Sequence, residues 1–128
     1  MNKKPDLLIT ITTGKQDRGS RATLAFSWGC AALAMGQSVC IYLSMDGTIW
    51  AVKGAMKGVE VGGFEPLNDY LEQFTALGGE LLVCAPCTEY YCAFDRTSIN
   101  TTLIDQANIT GLASIVAKMG ENTKSLTF

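Results

Sequence analysis

Leu77-Gly78-Gly79-Glu80-Leu81-Leu82-Val83-Cys84-Ala85-Pro86-Cys87 carries three structural signals in direct succession. Gly78-Gly79 closes the helix before it, Leu81 to Val83 reads as a short buried strand, and Pro86 suits the first turn of a new helix. Helix, strand and helix packed this closely predict an α/β chain. Upstream, Pro66 starts the helix that Gly78 ends, and Leu67, Tyr70, Leu71, Phe74 and Leu77 give it one apolar stripe. Before that, Val39-Cys40-Ile41-Tyr42-Leu43 is a second strand, running to Ser44 and turning at Met45-Asp46-Gly47.

The same alternation continues towards both ends. Leu7 to Thr13 is a β-rich run ending at Gly14. Ser20 is placed to cap the following helix, with Leu24, Trp28, Ala31, Ala32 and Met35 as its expected apolar face and Gly36 as its stop. Between Thr48 and Phe64 the pattern weakens after Ile49 to Val52, and Gly54, Gly58, Gly62 and Gly63 make this the expected mobile segment. Arg96 to Asn108 supports no assignment. Thr110 is expected to cap a helix bearing Leu112, Ile115, Val116 and Met119 and ending at Gly120, and Lys124 to Phe128 reads as a short terminal strand. Right-handed βαβ units then predict a three-layer fold, a mainly parallel sheet with helices on both faces. Sites in such sheets lie at the carboxyl ends of the strands, where Gly14, Asp46 and Cys84 fall.

With 128 residues, 48% of them hydrophobic, the chain can bury one core, and a single domain over residues 1–128 without a tail is expected. A net charge of -2 with ten scattered basic residues leaves no electrostatic footprint for nucleic acid. Thr23 to Met45 is uncharged and approaches the length of a membrane span, but Gly36-Gln37-Ser38 interrupts it, so it reads as a buried helix turning into a buried strand. The five cysteines are irregularly spaced, and the opening Met1-Asn2-Lys3-Lys4-Pro5-Asp6 is no apolar leader. A cytoplasmic protein with free thiols is expected.

No histidine is present, so the cysteines are the foremost candidates for reactive chemistry. Cys84 ends a strand where a helix begins, and unpaired N–H groups there favour thiolate over thiol. It is the candidate nucleophile, Cys87 a possible resolving thiol and Cys92 a possible accessory thiol. Several readings compete. A thiolate at a sheet edge can accept sulfur as a persulfide and pass it to another thiol. Cys-x-x-Cys after a strand also suits thioredoxin-like exchange, although the motif follows two βα units rather than one and no proline follows Pro86. A metal or iron–sulfur site on Cys84, Cys87 and Cys92 lacks a fourth soft ligand. The plain alternative is a non-catalytic module in which Cys84 packs as a small hydrophobe.

Cys30 and Cys40 read as packing residues. Asp46-Gly47 reads as a turn that could bring a carboxylate near the thiols, and Lys15, Arg18 and Arg21 as a solvated loop that could hold an anion. Gly54, Gly58 and Gly62 match no nucleotide fingerprint, so neither cofactor nor metal is expected. Met45, Ile49, Trp50, Val52 and Met56 are more apolar than a loop needs, which predicts self-association.

Taken in order, several segments resemble the DsrE/DsrF/TusD-like family of small sulfur-relay proteins. They are Ile9-Thr10-Ile11-Thr12-Thr13-Gly14, Ala31-Ala32-Leu33-Ala34-Met35-Gly36, Leu43-Ser44-Met45-Asp46-Gly47, Leu77 to Cys84, and Leu126-Thr127-Phe128. The resemblance implies a DsrE-like, Rossmann or flavodoxin-like topology and a sulfurtransferase-type role within a trimer or hexamer, with sulfur donor and acceptor proteins as partners. The sulfur-carrying cysteine of the family maps onto Cys84, and Cys87 onto a second cysteine that only some members have. Many members carry an Arg-Gly pair shortly after the first cysteine. Here Tyr91-Cys92 stands in its place, which removes a cation that would stabilise a persulfide anion and adds a thiol.

Overall fold

The computed structural model describes residues 4–91 and 103–128. Five parallel strands form one sheet: β1 (Leu7–Ile11), β2 (Val39–Leu43), β3 (Glu80–Cys84), β4 (Ala107–Thr110) and β5 (Lys124–Thr127), in the order β4-β3-β2-β1-β5. The helices are α1 (Ser20–Ala34), α2 (Leu67–Ala76), α3 (Ala85–Tyr91) and α4 (Leu112–Lys118). From β1 to β4 the chain steps in one direction across the sheet. To reach β5 it must reverse, and a right-handed crossover then puts α4 on the face opposite α1 and α2. Hence the expected layers of helix, sheet and helix are present.

Side chains alternate between the two faces of each strand. Ile9, Ile11, Ile41, Leu43, Leu81 and Val83 face α1 and α2 and form the larger core. Leu8, Cys40, Tyr42, Leu82 and Cys84 face the other way and form a smaller cluster with Cys87 of α3 and Ile115 of α4. Lys118 Nζ pairs with Glu80 at 2.8 Å, tying α4 to the amino end of β3. The uncharged stretch from Thr23 to Met45 is indeed a helix that turns into a buried strand. Among the described residues no helix is long and apolar enough to cross a membrane.

Helix α1 corrects the expected apolar stripe. Its buried residues are Ala22, Thr23, Ala25, Phe26, Gly29, Cys30 and Ala32, whereas Leu24, Trp28 and Met35 are exposed. The reason is steric. A Cβ on Gly29 would stand 3.2 Å from the ring of Phe74 and 3.4 Å from Ile41, so only a small-residue face lets α1 approach both α2 and the sheet. Phe26 and Phe74 then meet edge to face, with ring centroids 5.7 Å apart.

The caps also differ from expectation. Gly19, at φ 85°, precedes α1, and Ser20 is the first helical residue. Gly111 rather than Thr110 precedes α4, because Thr110 is the last residue of β4. Strand β4 itself was not anticipated. It is a short edge strand whose Asn108 and Ile109 are exposed, so it lacks a buried apolar run.

The segment expected to be mobile begins as part of the core. Met45–Ala51 forms a 3₁₀ helix, Trp50 is fully buried with its indole N–H donating to the Thr13 carbonyl at 2.9 Å, and Ala55 and Met56 are also buried. Val52 bridges to Leu103. Of the residues expected to drive self-association, only Met45 is well exposed, so that apolar content covers the core instead. The turn after β2 is tight: a Cβ on Gly47 would stand 2.0 Å from the Ile11 carbonyl oxygen, which only glycine avoids.

Candidate functional site

The carboxyl ends of β2 and β3 converge on two sulfurs. Cys84 is the last residue of β3, and α3 starts at the next residue with Pro86 in its first turn. The strand register sets Leu43 beside Val83, which brings Ser44 and Met45 alongside Cys84 and the first turn of α3. Met45 N–H donates to Cys87 Sγ at 3.3 Å, and Ser44 Oγ lies 3.8 Å from the same sulfur. Met45 achieves this from a left-handed backbone, φ 52°, uncommon for a residue with a side chain. Thr88, also buried, donates to the Ala85 carbonyl at 2.8 Å and closes the first turn.

The two thiols are driven in opposite directions. Burial raises the Cys84 pKa, but the Cys87 thiol, the Tyr42 phenol, the Cys87 main-chain N–H and the Ser44 hydroxyl together outweigh it, so Cys84 is held below its ordinary value. Burial and the neighbouring Cys84 sulfur raise Cys87, against the opposing pull of Met45 N–H and Ser44. Of the two, Cys84 is therefore the thiol that gives up its proton more readily. Among the described residues, the groups that lower Cys84 are neutral hydrogen-bond donors. Both side chains are buried, Cys84 at 3% exposure and Cys87 at 7%.

Tyr42 completes the arrangement. It points from β2 to the same side of the sheet as Cys84 and is 3% exposed, yet its hydroxyl has no hydrogen-bond partner among the described residues. The phenol lies near enough to bias Cys84 without meeting the geometry of a hydrogen bond. Burial, then the two sulfurs, raise its own pKa, so it stays protonated and able to donate. A buried hydroxyl without a partner costs about 1–3 kcal/mol.

The other candidates fall away from this centre. Cys30 packs in α1 with its thiol on the Tyr70 carbonyl, and burial pushes its pKa up to about 11. Cys40 is buried at the start of β2, and burial pushes it up to about 12. Asp46 accepts a hydrogen bond from Gln16 in the loop after β1. Asp17 accepts from the Gly19 and Arg21 N–H groups and pairs with Arg21 at 3.5 Å, so the start of α1 already holds a carboxylate in place of an external anion. Cys92 lies outside the described residues. Among the described residues no three cysteine, aspartate or glutamate side chains are grouped to hold a metal ion. An apolar groove of about 350 Å³, lined by Leu7, Trp28, Ala31, Met35 and Leu126 among others, lies at the amino ends of the strands, across the sheet from the thiols.

A family model described as the DsrE/DsrF-like family matches residues 6–128. The chain belongs to that family. The crystal structure of the ychN protein from E. coli is similar in fold, with a TM-score of 0.70 and 19% identity, each chain being covered in full. No curated protein matches. For this DsrE/DsrF-like chain the expected α/β architecture and the strand-end position of Cys84 therefore stand. The sequence reading overlooked Tyr42, Ser44 and the Met45 N–H as parts of the thiol environment. One signal was available: Tyr42 is the residue with a hydroxyl inside Val39-Cys40-Ile41-Tyr42-Leu43, and a buried tyrosine ordinarily finds a partner for its O–H.

Proposed function

We propose that this DsrE/DsrF-like protein is a persulfide carrier that holds sulfur on Cys84 and passes it to a partner thiol. The observation that carries the reading is the pairing of Cys84 with Cys87 at the carboxyl edge of β3, on a family fold generally associated with sulfur relay. The Cys84 thiolate attacks the outer sulfur of a donor persulfide. A new S–S bond forms to Cys84, the old one breaks, and the donor leaves as a thiolate. Delivery repeats the exchange with an acceptor thiolate. The carrier must stay reduced, which the free state of Cys30, Cys40, Cys84 and Cys87 supports and which a reducing cytoplasm would maintain.

Incubation with glutathione persulfide, followed by intact-mass and peptide analysis, tests the proposal. The expected product carries one added sulfur on the peptide containing Cys84, and no sulfur there would overturn it. Thiol–disulfide exchange is a second reading, favoured by the Cys87 thiol beside the Cys84 sulfur. In the same experiment it predicts a loss of two hydrogens and a Cys84–Cys87 disulfide without prior gain of sulfur.

We also propose a homo-oligomer, a trimer or hexamer, although the supporting surface differs from the one expected. Exposed apolar residues gather on α1, at Leu24, Trp28 and just beyond it at Met35, and on α4, at Leu112, Val116 and just beyond it at Met119. Light scattering is expected to give a multiple of the 13.7 kDa chain mass, and a monomeric mass at micromolar concentration would count against assembly.

A further inference from the structure

We propose that Tyr42 is the positioning residue for the carried sulfur, its phenol donating a hydrogen bond to the outer sulfur of a persulfide on Cys84. This inference rests on the persulfide-carrier reading above and adds the group that recognises the cargo.

Four observations point to it. Tyr42 and Cys84 lie in one buried cluster on the same side of the sheet. The phenol oxygen is fully enclosed and has no hydrogen-bond partner among the described residues, a state that buried hydroxyls rarely keep unless something else fills the site. The Met45 N–H, a donor just beyond the end of β2, is already turned to Cys87 Sγ at 3.3 Å. Finally, the groups among the described residues that lower Cys84 are neutral hydrogen-bond donors, the phenol among them.

The chemistry supplies the missing acceptor. Attack of the Cys84 thiolate on a low-molecular-weight persulfide gives Cys84–S–SH and releases the donor thiolate. The outer S–H is more acidic than a carbon-bound thiol and gives its proton to solvent, leaving a sulfur anion about 2 Å beyond Sγ. That sulfur can accept from the phenol, which misses hydrogen-bond geometry with Sγ itself. In the unloaded protein the hydroxyl is a standing cost, and in the loaded protein it is a hydrogen bond to an anion, so the site favours the loaded state.

Tyr42→Phe removes the oxygen and keeps the ring. Because the hydroxyl has no partner, the variant is expected to fold with an unchanged or higher melting temperature. After loading with glutathione persulfide and removal of the donor, the fraction of protein retaining sulfur is expected to fall about ten-fold or more relative to wild type, the scale of one hydrogen bond to a charged group. Alkylation of the bound outer sulfur, followed against pH, should show its ionisation moved upward by about one unit or more. A tyrosine kept for packing alone would change neither of these, since phenylalanine keeps the ring. If wild type takes up sulfur on Cys84 and Tyr42→Phe retains it with the same pH profile, this inference is overturned while the carrier reading stands. If wild type takes up none, both fall.

Discussion

Replacing Cys84 by alanine is expected to abolish sulfur uptake altogether, whereas Cys87→Ser should still take up sulfur and hold it longer. The asymmetry follows from the opposite shifts of the two thiols. Cys84 is held below its ordinary value and Cys87 above it, so the pair ionises at Cys84 first. The other described cysteines offer no substitute. A thiol at about 11, like Cys30, is ionised in roughly one molecule in ten thousand at pH 7, and Cys40, at about 12, in fewer still. In wild type the Cys87 sulfur can attack the inner sulfur of the Cys84 persulfide, forming a Cys84–Cys87 disulfide and releasing hydrogen sulfide. Serine at position 87 blocks that exit.

The pH dependence has a definite sign. Uptake should rise with pH as Cys84 loses its proton, then level off above its pKa, with a midpoint below the ordinary thiol value. Uptake by Cys84→Ala equal to wild type, or a midpoint above the ordinary value, would show that another group carries the sulfur.

Phe74→Ala is expected to be the most damaging single change to stability, at about 3–5 kcal/mol. Phe74 is fully buried at the meeting point of α1, α2 and the turn before β3. Its ring crosses Phe26 at 82° and lies so close to Gly79 that a Cβ there would stand 2.4 Å from it. Gly29 presses from the other side. The glycines on two flanks have no side chain to swing into the space that alanine would leave, so the cavity would be filled mainly by movement of Phe26 and the cavity term should be large. Against a typical total of about 5–15 kcal/mol for a domain, the loss is large and should lower the melting temperature by roughly 10–20 °C. A measured loss below about 1 kcal/mol would mean that α1 and α2 close over the gap. The variant should then lose stability without a shift in the Cys84 midpoint, since the ring lies on the opposite side of the sheet.

How much of this was legible in the residues depended on where a single local signal decided the outcome. Leu81-Leu82-Val83-Cys84 is bounded by Gly79 and Pro86, and the strand, its direction and the thiol at its end all followed from that. Helix α1 was different. Two faces compete there, and the one with the larger side chains, Leu24, Trp28 and Met35, lost to the one with Ala25, Gly29 and Cys30 because close approach to Phe74 outweighs bulk. Trp50 was hidden for a related reason: the glycines after it suggest looseness, while its burial depends on the distant carbonyl of Thr13. Tyr42 was legible as a strand residue only. Its role depends on a neighbour in β3, and pairing across strands leaves no mark on spacing along one of them.

The parallel course of every strand has one last consequence. All five deliver their carboxyl ends to one rim, where the two sulfurs lie, and their amino ends to the other, where Trp28, Met35 and Leu126 line the apolar groove. The sulfur transfer proposed for Cys84 and the assembly proposed through Trp28 and Met35 would therefore draw on different parts of the molecule, and neither would have to compromise its shape for the other.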